Sequence, residues 1–169
     1  MPTVNLDYIL QACNVYVDGY SKLGWAEKIS TPKIKKKMET FRGGGMLGGK
    51  KHALGYEPIE FDFDMSAYDP KVLSRIGLFS ADAITISFTG VFDGDQNAQH
   101  AANFVTRAKF EETDAGAWEP GKKAMLKAKG SCDAVKLTID NAIIYDIDID
   151  AQKWIINGVD EYAFIRANI

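Results

Sequence analysis

Cysteine and histidine are scarce. Cys13 and Cys132, His52 and His100 are the only four such residues among 169. Two cysteines far apart, in no CxxC pair, read as buried free thiols of a reducing compartment rather than as a disulfide, although a single pair stays open. Neither histidine has a partner at ligand spacing, which removes a zinc site. No apolar run nears the length of a membrane-spanning helix, so no membrane anchor is expected. The opening MPTVNLDYILQACNVYVDG lacks the basic start and apolar stretch of a signal peptide. A strong charge imbalance is missing too: the formal net charge is −3, which leaves no overall basic field for nucleic acid.

What is present is apolar sequence with a period of two. Hydrophobic residues make up 46% of the chain, enough for a core at a length that favours one domain, 1–169. IEFDFDM is the cleanest strand: Ile59, Phe61, Phe63 and Met65 point one way, Glu60, Asp62 and Asp64 the other. AITISFTGVF follows the rule through Ile84, Ile86 and Phe88, and NVYVDG, NFVTRAKFEET, KAMLKAKGSCDAVKLTID and AIIYDIDID continue the series. WAEKISTPKIKKKMETF reads as one long strand interrupted at Pro32. Beyond it Lys33, Lys35, Lys37 and Glu39 share a face and Ile34 and Met38 lie opposite. One segment differs. In SAYDPKVLSRIGLF, Asp69 is a good N-cap, Pro70 a good first helical residue, Val72, Leu73 and Ile76 form an apolar face, and Gly77 ends the helix. Many strands with one short helix predict a mainly β fold, a sandwich or barrel with the helix covering an edge or end.

Between two basic clusters, GGGMLGG places five glycines in seven positions, 43–49. Gly44, Gly49 and Lys50 keep P-loop spacing. Lys51 stands where a hydroxyl should hold magnesium, and the flanks are neither a buried strand nor a helix. A nucleotide site is therefore set aside for a long connection between strands. Met46 and Leu47 at its centre are apolar and would lie exposed in a lone subunit, which favours an intermolecular contact. The neighbouring lysines, Lys33, Lys35, Lys36 and Lys37, share their strand with Glu39 and no aromatic platform, so a solvated or subunit-facing strand outweighs phosphate binding.

Other motifs fail as chemistry. DGDQNA, 93–98, starts like a calcium loop but has Ala98 at the sixth position and Phe104 at the twelfth. Asp146, Asp148 and Asp150 alternate with Ile147 and Ile149, a solvated strand face rather than an acid–base pair. No serine or cysteine sits in a nucleophile elbow. Trp25, Trp118 and Trp154 leave open a carbohydrate-binding β-sandwich, although tryptophans also anchor cores and interfaces.

Several stretches taken in order, NVYVDG, TPKIKKKMETFRGGGM, YDPKVLSRIGL, DAGAWEPGKKAMLKAKG, IIYDIDI and INGVDEYAFIRANI, resemble the major tail tube proteins of contractile phages, the P2-like family. They are also similar to the tubes of R-type bacteriocins. The resemblance implies a structural protein with neither catalytic residues nor cofactor, built as a β-sandwich or barrel-like subunit with a flanking helix. It implies hexameric rings stacked into a tube inside a sheath, with a baseplate initiator and a tail terminator as further partners. DNA would pass through the lumen without specific binding. The place implied is the virion tail, with host cytoplasm during assembly; a headless bacteriocin particle is the alternative setting. The inter-subunit and inter-ring contact is expected in an extended loop at 42–51: Arg42, Gly43, Gly44, Gly45, Met46, Leu47, Gly48, Gly49, Lys50 and Lys51.

Overall fold

Alternation becomes strand along most of the chain in the computed structural model, which describes residues 9–77, 83–94 and 99–169. In order these are β1 (Ile9–Val17), β2 (Tyr20–Ser21), β3 (Ala26–Lys33), β4 (Lys36–Phe41), β5 (Lys50–Tyr56) and β6 (Ile59–Met65). Helix α1 (Pro70–Leu73) follows. Then come β7 (Ile84–Asp93), β8 (Gln99–Asp114), β9 (Leu126–Ile139), β10 (Ala142–Asp148), β11 (Lys153–Ile156), β12 (Val159–Asp160) and helix α2 (Ala163–Arg166). The fold is mainly β, as the sequence predicts, with two short helices rather than one. The turn expected at 93–98 lies partly outside the described residues.

Strand β9 organises the sheet. One of its edges pairs with β8 throughout. The other pairs with β6 from Leu126 to Cys132 and with β10 from Ala134 to Ile139. The sheet thus divides near Asp133. One branch runs β9–β6–β3 and the other β9–β10–β11–β12, while β8–β7–β1–β2 continues on the far side. The β6 branch curls over so that its inward side chains meet those of β7 and β8. Phe61 and Phe63 pack against Phe88 and Phe110 with ring centroids 5.6–6.2 Å apart, within the range of favourable aromatic pairs. Ile59, Phe61, Phe63 and Met65 are all buried, as alternation requires. Gly130 of β9 lies under Phe61. A Cβ there would strike the Lys109 carbonyl oxygen and come within 2.8–2.9 Å of the Phe61 ring, so only glycine lets the strands close.

Three connections are two-residue turns with positive φ at both positions: Asp18-Gly19, Asp140-Asn141 and Asn157-Gly158. They match the right-handed twist of their strands as type I′ turns do. Pro32 does not break β3. It sits, buried, in an irregular step of the β3–β6 pairing between Ser30 and Lys33, on a strand whose other edge is unpaired; a bulge or an edge is where sheets tolerate proline. The break comes at residues 34–35.

Helix α1 starts as read. Asp69 caps it, accepting from the Lys71 N–H at 2.8 Å, with Pro70 in the first turn. Its apolar face differs from expectation. Val72 is fully buried, Leu73 half-buried and Ile76 exposed, because the helix passes into a 3-10 turn, Ser74–Ile76, and the tighter winding rotates Ile76 outward. Gly77 is not left-handed, with φ −62°. Val72→Ala should therefore cost about 1.5–3 kcal/mol in urea unfolding, and Leu73→Ala less. Equal losses for the two would contradict this docking.

Candidate functional site

Among the described residues, strands β4 and β5 pair only with each other and form a hairpin apart from the main sheet. Every residue of β4 and the first five of β5 are exposed. The signal is in the sequence: KKMETF and KKHALGY have no uniformly apolar face, so neither strand has a side to give to a core. Register puts Phe41, His52, Glu39 and Lys50 on one face, with Phe41 edge-on to His52. Met38, Ala53, Thr40 and Lys51 occupy the other. The expected single face of Lys33, Lys35, Lys37 and Glu39 is corrected, since the break at 34–35 separates Lys33 from the hairpin. Ile34 packs at the core while Met38 is exposed.

The root of this arm is fixed. Glu57 N–H donates to the Lys35 carbonyl at 2.8 Å and the two side chains form an ion pair at 2.7 Å. Tyr56 stacks on Trp154 of β11 with centroids 3.8 Å apart, and its hydroxyl donates to Glu161 at 3.0 Å. Burial, with the bond to Glu161 next, raises the Tyr56 pKa. Sequence reading missed this lock, because Tyr56 and Trp154 are distant in the chain.

The connecting loop spans residues 42–49, and Lys50 and Lys51 already belong to β5. Arg42, Gly43, Gly44, Gly45, Met46, Leu47, Gly48 and Gly49 make the tip. The Arg42 side chain donates to the Met46 carbonyl at 3.1 Å, and Met46 N–H to the Gly43 carbonyl at 3.2 Å. Leu47 has its whole side chain in solvent. No helix follows Gly49, so a phosphate-binding turn is not formed.

Elsewhere the charged strands are arranged by register. Asp62 faces Lys129 and Asp64 faces Lys127 across β6–β9, while Glu112 and Asp114 face the same two lysines across β8–β9. Acidic β6 and basic β9 thus share one face of the sheet. Asp148 and Asp150 are held by Arg107, at 3.2 and 2.6 Å, and Asp146 by Lys153 at 2.6 Å, so the carboxylate row is ion-paired rather than merely solvated. The tryptophans form no common face: Trp154 is buried beneath Tyr56, and Trp118 donates to the Tyr68 hydroxyl at 2.6 Å. Both cysteines are free. Burial pushes the Cys132 thiol up to about 12, and Cys13 is half-buried.

A family model described as phage tail tube protein FII matches residues 7–169. The tail tube protein of Escherichia phage P2 is 29% identical over 164 residues, covering 95% of each chain. Among solved structures, the chain is similar to one from the sheath–tube complex of the extracellular contractile injection system PVC, in its extended state. That match has 12% identity and a TM-score of 0.56, over 75% of this chain and 87% of that one. It is also similar to a chain of the PVC sheath/tube terminator, with 12% identity and a TM-score of 0.57, over 76% and 94%. At such identities the structural likeness is one of fold.

Proposed function

The chain belongs to the phage tail tube protein FII family, and from that premise we propose that it forms the inner tube of a contractile tail by stacking of hexameric rings. Its work is structural, with no catalytic step and no cofactor, and residues 1–169 act as one tube domain. The observation that carries the stacking is the hairpin arm, an exposed and rooted element that none of the described residues covers. Arg42–Met46 and Leu47 at its tip, with Lys50 and Lys51 behind them, make the inter-ring contact. Partners are further copies, a sheath, a baseplate initiator and a terminator. The place is the virion tail, after assembly in the host cytoplasm. Electron microscopy of the purified protein tests this directly: tubes or rings support it, and a monodisperse monomer at every concentration and salt overturns it.

DNA should slide through rather than bind. The checkerboard of Asp62, Asp64, Glu112 and Asp114 with Lys127 and Lys129 interrupts any continuous basic stripe, and such a stripe is what phosphate binding needs. Assembled tubes mixed with duplex DNA should show no salt-sensitive retention at physiological ionic strength; tight retention lost on adding salt would count against this reading.

A further inference from the structure

We infer that the apolar groove between β1 and β3 is the seat for the arm tip, Met46 and Leu47, of a second copy of this chain. The inference rests on the stacking proposed above and names the surface that receives the arm. The groove has a volume of about 280 Å³ and is lined by Leu10, Cys13, Ile29, Phe88, Phe92 and Phe104. Among the described residues, its two walls are strands with partly unused edges. Strand β1 pairs with β7 on one side and on the other meets β2 at Tyr16 and Val17 and the Lys22 N–H at the Val15 carbonyl, while β3 pairs with β6 alone. A loop entering there would meet apolar side chains at the floor and main-chain donors and acceptors at the rim.

Two observations select the occupant. Among the described residues the tip's hydrogen bonds lie within the tip, and Leu47 is fully exposed. Charge favours another copy of this chain as the occupant, while the groove's own charged lining, Glu27 and Lys28, is balanced. Residues 36–56 hold five basic residues, Lys36, Lys37, Arg42, Lys50 and Lys51, against one acidic, Glu39, giving +4 in a chain of net −3. The remainder of each copy therefore carries −7, and among the described residues none of those five cations has an ion pair. A basic arm is drawn to the acidic body of a neighbour. A six-residue strand extends the arm by about 20 Å.

Cys13 in the groove is the reporter. Cys132 is buried with a raised pKa and stays silent toward thiol reagents. In tubes assembled from L47C, mild oxidation should link subunits through Cys13 into a ladder on a non-reducing gel, and C13S should abolish it. Wild-type tubes should react with N-ethylmaleimide at Cys13 at least about tenfold more slowly than dissociated subunits. If L47C fails to assemble, the wild-type alkylation rates decide. Tubes whose Cys13 reacts as fast as in free subunits, or an L47C ladder that persists without Cys13, overturn the groove assignment while leaving the tube function standing. Absence of tubes from the wild-type chain would instead overturn the function itself.

Discussion

Met46→Asp combined with Leu47→Asp should give a soluble, folded subunit that no longer builds tubes. Folding should survive because the tip bonds only to itself and the core lies elsewhere, around Phe61, Phe63, Phe88 and Phe110. Assembly should fail for two additive reasons. Each lost apolar side chain removes up to roughly 1.5–3 kcal/mol of burial at a contact that shelters it fully. Each new carboxylate must also be stripped of water to enter an apolar seat, a further cost that an unpaired charge cannot recover. In the proposed sixfold rings the defect would recur at every junction. Circular dichroism and electron microscopy of one preparation read both outcomes. Full-length tubes from the double variant would remove the tip from the interface, and an unfolded variant would assign it to the core.

Lys22→Met should be the most damaging single change to stability away from the core aromatics. Lys22 and Asp69 are both buried and form an ion pair. This pair joins the β1–β2 hairpin to helix α1, aided by Arg75 on Asp18 at 2.8 Å and by the Lys71 ammonium over the Tyr20 ring at 3.1 Å. Removing Lys22 leaves a carboxylate in a dry site, and breaking a buried pair from one side costs about 3–5 kcal/mol. Lys22→Met with Asp69→Asn should recover part of that loss, since asparagine keeps an acceptor for the helix cap and carries no charge. Urea unfolding of the two single variants and the double gives the coupling. A loss under about 1 kcal/mol for Lys22→Met would show the pair to be solvated. Burial by itself raises the Asp69 pKa. The Lys22 and Lys71 hydrogen bonds and charges outweigh it, so the carboxyl is held below its ordinary value of 3.8. A depressed folded-state pKa contributes stability that is present above the ordinary value and is lost as pH falls through the folded one. Wild type should therefore lose stability on acidification below about pH 4, and Asp69→Asn should lose less over the same window.

Strands whose two faces differ in polarity could be read from the amino-acid order. Residues 59–65, 84–93 and the β9 segment are legible because a half-buried strand must alternate, and that pattern is local. The helix start was legible for the same reason, since Asp69 and Pro70 act on the adjacent turn. The resemblance to tube proteins rested on short motifs kept in order along the chain. Part of the candidate site was legible as well: five glycines around two apolar residues marked the tip before its position was known. Long-range packing sets β4 and β5 apart as an arm, locks its root through Tyr56 on Trp154, and brings Asp62 and Lys129 to one face. The same packing buries Lys22, a lysine just past β2, and makes Val72 rather than Leu73 pin the helix. Each of these depends on which distant strand or side chain lies opposite. Alternation fixes the two faces of a strand but not its neighbour or register, and those are set by packing between segments tens of residues apart.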